Sequence, residues 1–158
     1  MASPPEAATA PPRKAFRIAR RPYADLSGEG ARLAGGRWNS PGRAALYLAE
    51  SPALAILETL VHLDLDEDMV PPDYVMLDVD LSALTGRWLE DGPAVPPPDA
   101  ECRTVGDDFL AAGRTLALRV PSVIAPRASN YLFNPVHPLM SRVRISSTEP
   151  FAFDRRLL

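Results

Sequence analysis

Arg37 and Glu58, with Tyr47 between them in the chain, are the residues whose types could do chemistry, Arg37 on an anionic group and Glu58 on a developing positive charge. Arg37 lies in Gly35-Gly36-Arg37-Trp38-Asn39. Two glycines let backbone approach a ligand closely. The guanidinium that follows offers a planar fork suited to phosphate or carboxylate, and the Trp38 indole could stack on a flat ring. The competing reading is structural: a strained turn with a surface Arg and a buried Trp. This loop precedes a strand, whereas a Rossmann glycine fingerprint follows one and opens a helix, and no Gly-Lys-Ser/Thr of a P-loop follows.

Glu58 stands inside an otherwise apolar helical stretch, where a carboxylate is costly unless it is paired or used. It either snorkels or pairs with an Arg, or it faces a developing positive charge, as carboxylates do at sugar anomeric centres. Tyr47 lies in the strand between the two and gains meaning only with them. Farther on, Ser122 ends Val120-Pro121-Ser122 without a Gly-x-Ser-x-Gly elbow, so it is not read as a hydrolase nucleophile. Asn130, Asn134 and His137 suit the holding of loop backbone. With two His and one Cys, no metal-ligand cluster is apparent. Cys102, in a polar stretch with no neighbouring His, lacks the setting of a nucleophile.

The elements that must position these groups are short. Ala15–Ala19 alternates as a strand. Residues 26–39 read as a glycine-rich loop, and 44–49 as a second strand. Ser51-Pro52 is a helix start, with Ser as N-cap and Pro at the first helical position. The helix that runs on to His62 is apolar nearly all round and is expected to be mostly buried. Residues 73–81 alternate as a strand. Residues 104–113 form a short helix ended by glycine, and 116–122 a strand. Residues 130–135 read as a turn-rich loop, and 142–145 and 151–153 as closing strands. Eighteen prolines argue against long helices or strands after the first third. Several short strands with two clear helices favour an α+β fold.

A chain of 158 residues fits one domain and buries enough surface to fold without disulfide or metal. One cysteine suits a reducing, cytoplasmic setting. The net charge of −3 and the scattered arginines give no basic stripe for nucleic acid. No apolar run reaches the length of a membrane span. Residues 1–14, rich in Pro and Ala, read as a disordered tail. The acidic run Asp64–Asp68 reads as a solvated loop.

Taken together, Phe16-Arg17-Ile18, Gly35-Gly36-Arg37-Trp38-Asn39, Leu46-Tyr47-Leu48-Ala49, the helix through Glu58, Val120-Pro121-Ser122 and Asn130–Pro135 with His137-Pro138 resemble the RES domain family. The resemblance runs over most of 15–158. It implies an ADP-ribosyltransferase-like mixed fold, with short strands around an NAD cleft. It implies a toxin of a type II toxin–antitoxin pair that breaks the nicotinamide–ribose bond of NAD⁺. Its partner would be an Xre-type antitoxin, with NAD as substrate and no metal, no nucleic acid and no membrane. Arg37, Tyr47 and Glu58 would be catalytic, and Arg17, Ser122 and Asn134 would join them at the dinucleotide. Water, phosphate or a protein side chain would accept the ADP-ribose. Two rivals stand beside this reading. One is a non-catalytic module acting through its partner surface. The other is a nucleotide hydrolase cutting at the phosphates with a metal.

Overall fold

The computed structural model describes residues 10–63 and 66–158. Most of the expected tail, and Asp64 and Leu65 of the acidic run, lie outside the described residues. Among the described residues seven strands form one sheet: β1 (Lys14–Arg20), β2 (Leu46–Ala49), β3 (Tyr74–Asp80), β4 (Leu89–Asp91), β5 (Ala117–Pro121), β6 (Ser129–Phe133) and β7 (Arg144–Pro150). Their spatial order is β4-β5-β6-β2-β1-β3-β7. Only β4 and β5 run parallel; every other neighbour is antiparallel. Among the described residues, three α-helices complete the fold: α1 (Glu29–Ala34), α2 (Pro52–Leu60) and α3 (Asp99–Ala112). The α+β class holds.

Strand pleating separates two cores, because successive side chains point to opposite faces. Leu46 pairs with Phe133 and Leu48 with Tyr131, and these project into a core shared with Val75, Leu77 and Val79. Tyr47 pairs with Leu132 and Ala49 with Asn130, so these four point to the other face. Both long helices pack there. α3 sets Cys102, Phe109 and Leu110 against Leu118, Val120 and Leu132. α2 sets Leu54 and Ala55 against Ile18 and Ala49. The β2–β6 pair is therefore the shared floor beneath two helices.

Several sequence expectations change. Residues 130–135 are not a loop, since β6 occupies the middle of the sheet and buries Tyr131, Leu132 and Phe133. Three consecutive residues of high strand preference outweigh the flanking Asn and Pro. A six-residue helix, α1, interrupts the expected loop, supported by the Glu29–Arg32 ion pair one turn apart and closed at Gly35. α3 has 14 residues, longer than the prolines suggested, because Pro98 stands just outside it at the N-cap. Cys102 is consequently not in an open polar stretch. It is fully buried, its Sγ donates to the Pro97 carbonyl, and burial pushes the thiol pKa up. α2 starts as expected, with Ser51 Oγ accepting from Leu54 N–H at 3.1 Å. It is not mostly buried: Leu57 and Val61 face solvent, and only the stripe of Leu54 and Ala55 is fully covered. One strand, β7, replaces the two closing strands, with a 3-10 turn over Pro138–Arg142 before it.

Where α3 crosses the glycine-rich loop, the two backbones nearly touch. A Cβ on Gly106 would lie 1.6 Å from the Trp38 carbonyl oxygen. Helix preference alone makes Gly→Ala favourable by about 1 kcal/mol. Here the steric conflict with backbone decides the sign, since overpacking costs about 1–3 kcal/mol or more. Gly106→Ala should therefore lower stability by about 2 kcal/mol in urea denaturation. Gly30→Ala, in α1 with open space around it, should match or exceed the parent.

Candidate active site

The glycine-rich loop is held from inside by Asn39, which is completely buried. Its amide nitrogen donates to the carbonyls of Ala31, Arg43 and Ser40, and its Oδ1 accepts from Tyr47 Oη at 2.6 Å. Tyr47 Oη in turn accepts from Trp38 N–H at 3.0 Å. Burial pushes the Tyr47 phenol pKa up, so it keeps the proton it donates. Gly36 packs on this phenol, and a Cβ there would lie 2.7 Å from Oη. Trp38 is buried against α3 and offers no face for stacking.

α3 grips the same loop from outside. Arg37 Nη1 donates to Asp99. Asp107 accepts from Ser40 N–H at 2.9 Å and from its hydroxyl at 2.6 Å. The Arg37–Asp99 pair is exposed and contributes little to stability. It engages Nη1 alone among the described residues, which leaves guanidinium donors for an anion.

Glu58 hangs from α2, one turn past Leu54 and Ala55, on the side turned to the sheet. Its Oε1 accepts from Ser122 Oγ at 2.8 Å and from Asn130 Nδ2 at 2.7 Å. These partners are 64 and 72 residues distant in the chain. Neither is an Arg, so the half-buried charge is held by two neutral donors, in charge-assisted bonds stronger than neutral ones. Ser122 is itself fixed: its Oγ accepts from the N–H groups of Ile124 and Ala125, and its one proton goes to Glu58. Asn130 lies opposite Ala49 on β2, two residues from Tyr47 and on the same face. Such diagonal neighbours are separated by about 7–8 Å. The Tyr47 and Glu58 clusters thus share one floor, between the Asp99 end of α3 and α2.

Two expected site residues are not brought to this cluster. Arg17 pairs with Leu77 and so points away from the face of Phe16 and Ala49. Its Nη1 donates to the carbonyls of Tyr23 and Asp25, both at 2.9 Å. Burial lowers its guanidinium pKa, and the Asp25 carboxylate opposes that shift. Asn134 follows the opposite end of β6 from Asn130. There it donates to Leu110 O and accepts from Val136 N–H. His137 Nδ1 accepts from Leu139 N–H and caps the 3-10 turn. A separate hollow of about 620 Å³ between β4 and α3 contains none of Arg37, Tyr47, Glu58 or Ser122. Asp99 and Asp107 were not singled out from sequence, and Asn130, read there as holding loop backbone, donates its side-chain amide to Glu58. For Asn130 the available signal was a polar residue directly ahead of the apolar Tyr131-Leu132-Phe133.

Comparison with known proteins agrees with this architecture. Residues 14–154 match the RES domain family. The chain is 41% identical over 140 residues to "Toxin Res" of Pseudomonas putida, spanning 85% of this chain and 94% of the relative. It is 37% identical over 142 residues to the "Prs ADP-ribosylating toxin" of Sphingobium sp., spanning 85% and 87%. Its fold matches that of a solved Mycobacterium tuberculosis structure, the MbcT–MbcA toxin–antitoxin complex, with a TM-score of 0.70, 20% identity, and coverage of 89% of this chain and 84% of that one. The chain belongs to the RES domain family of toxins.

The Tyr47 hydroxyl carries a stability prediction. Tyr47→Phe leaves Trp38 N–H and the buried Asn39 Oδ1 without their partner, at a cost of about 1–3 kcal/mol. The urea midpoint should fall with the m-value unchanged. An unaltered midpoint would mean that the loop finds other partners.

Proposed function

We propose that this protein is a toxin enzyme that cleaves the nicotinamide–ribose bond of NAD⁺ at the Glu58 cluster. The observation that carries the reading is the Glu58 carboxylate, held on one oxygen and placed on the same floor as Tyr47. The Sphingobium relative, named as ADP-ribosylating, supports NAD⁺ as the substrate.

On this reading the bond between ribose C1′ and the nicotinamide nitrogen breaks, and its electron pair leaves with nicotinamide, which departs neutral. Positive charge grows on the ribose, and Glu58 stabilises it while accepting from a ribose hydroxyl. Arg37 binds the pyrophosphate through donors not taken by Asp99. The partly exposed Tyr47 ring flanks the nicotinamide, while its hydroxyl stays committed to the loop. Water, phosphate or a protein side chain then bonds to C1′. Arg17 and Asn134 lie away from the Glu58 floor, with Arg17 Nη1 engaged by the carbonyls of Tyr23 and Asp25 and Asn134 Nδ2 by that of Leu110, so on this reading they shape the fold around the site. The partner is a protein antitoxin, a reading to which the solved toxin–antitoxin complex lends support, and the family resemblance makes it Xre-type.

The test is release of free nicotinamide from NAD⁺ by purified protein, with and without phosphate or lysate. Glu58→Gln keeps size and loses charge, and should cut turnover by about 100-fold or more. Parental turnover in that variant would remove Glu58 from the chemistry. Arg37→Lys keeps charge and loses the fork, so KM for NAD⁺ should rise about tenfold. Nicotinamide mononucleotide as the product would point instead to cleavage at the phosphates.

A further inference from the structure

Both donors at Glu58 converge on the same atom. Ser122 Oγ and Asn130 Nδ2 each donate to Oε1, and among the described residues no hydrogen bond reaches Oε2. No described side-chain nitrogen or oxygen that is fully buried lacks a partner. Glu58 is only half-buried, so its unpaired Oε2 must be open to solvent. The carboxylate therefore has a tethered side and an open side.

The tether has a rigid backing. Ser122 sits between two strands, its own N–H donating to Ala128 O while its Oγ receives two backbone N–H groups. Asn130 is fixed by its place in β6, with β2 on one flank and β5 on the other. A Glu on a helix otherwise samples several rotamers, and freezing it costs free energy. Two charge-assisted bonds from a sheet hold one orientation before any ligand arrives, which is the condition for catalysis by a prepositioned charge.

We propose that Asn130 is a positioning residue that, with Ser122, pins Glu58 Oε1 and so reserves Oε2 for the ribose. This rests on the cleavage reading above and extends it to the division of labour between the two carboxylate oxygens. Neither Ser122 nor Asn130 then needs to touch the substrate. Asn130 offers the sharper test, because a substitution there leaves the Ser122 turn intact.

Asn130→Leu keeps the side chain's shape and removes the donor. In steady-state NAD⁺ turnover, kcat should fall about 10- to 100-fold while KM stays within about threefold, since ground-state binding is not lost. In a Glu58→Gln background the same substitution should cost little further, because it acts through Glu58. Three results overturn the proposal: unchanged kcat, a raised KM at unchanged kcat, or an equal loss in both backgrounds. If Asn130→Leu fails to fold, Asn130→Ser, which is too short to reach Glu58, replaces it. A second measurement needs no turnover. The side-chain amide resonance of Asn130, assigned by its loss in Asn130→Leu, should move upfield in Glu58→Gln as the anionic acceptor becomes neutral. An unmoved resonance overturns the tether. A shifted resonance in a protein that releases no nicotinamide would uphold the tether and reject the cleavage reading.

Discussion

The buried Asn39 amide is the interaction on which the rest of the site depends. Three carbonyls and one phenol saturate its donors and Oδ1, joining α1, the turn after the loop, and β2 at one point. A half-satisfied polar group at such depth would be costly, and a fully satisfied one specifies a single arrangement. Because the Tyr47 hydroxyl is its fourth partner, the loop that carries Arg37 is indexed to the strand that floors the Glu58 cluster. The Asp107 carboxylate and the close approach of Gly106 clamp the same loop from α3. Arg37 itself is exposed, but the backbone that carries it is not free to wander.

The sheet supplies the other half of the design. One set of alternate residues on β2 and β6 is given to the main core, and the other set is given to the helices and the site. The division follows from pleating alone, and a one-residue slip in register would exchange the two sets. α2 then needs only a narrow apolar stripe, Leu54 and Ala55, to bring Glu58 over the end of β6. Its remaining surface can face solvent without loss of position.

The legible parts of the sequence were those governed by local rules. Ser51-Pro52 announces α2 through capping, and the alternation in 73–81 announces β3. Glu58 stands out because it is the charged residue of a helix that is otherwise apolar but for Thr59. Other features depend on partners distant in sequence. Asn130 looked like part of a turn because Pro135 and Asn134 flank the short run that forms β6, and only pairing with β2 and β5 makes it a strand. The role of Asp99 was hidden because it acts across the fold on Arg37. Arg17 shows the converse. Its segment carries the family resemblance, yet strand alternation turns it toward the carbonyls of Tyr23 and Asp25.

The separation of Glu58 from Ser122 and Asn130 along the chain bears on when the protein becomes competent. A ribosome that has exposed α2 has made the carboxylate but neither of its anchors. They follow it by 64 and 72 residues, and β6 must then insert between β2 and β5, pairing with β2 residues synthesised well before it. Contacts of this range form late and slowly compared with local ones. Nascent chains and truncated fragments ending before Ser122 thus lack an assembled site, and competence waits on the synthesis and insertion of β6.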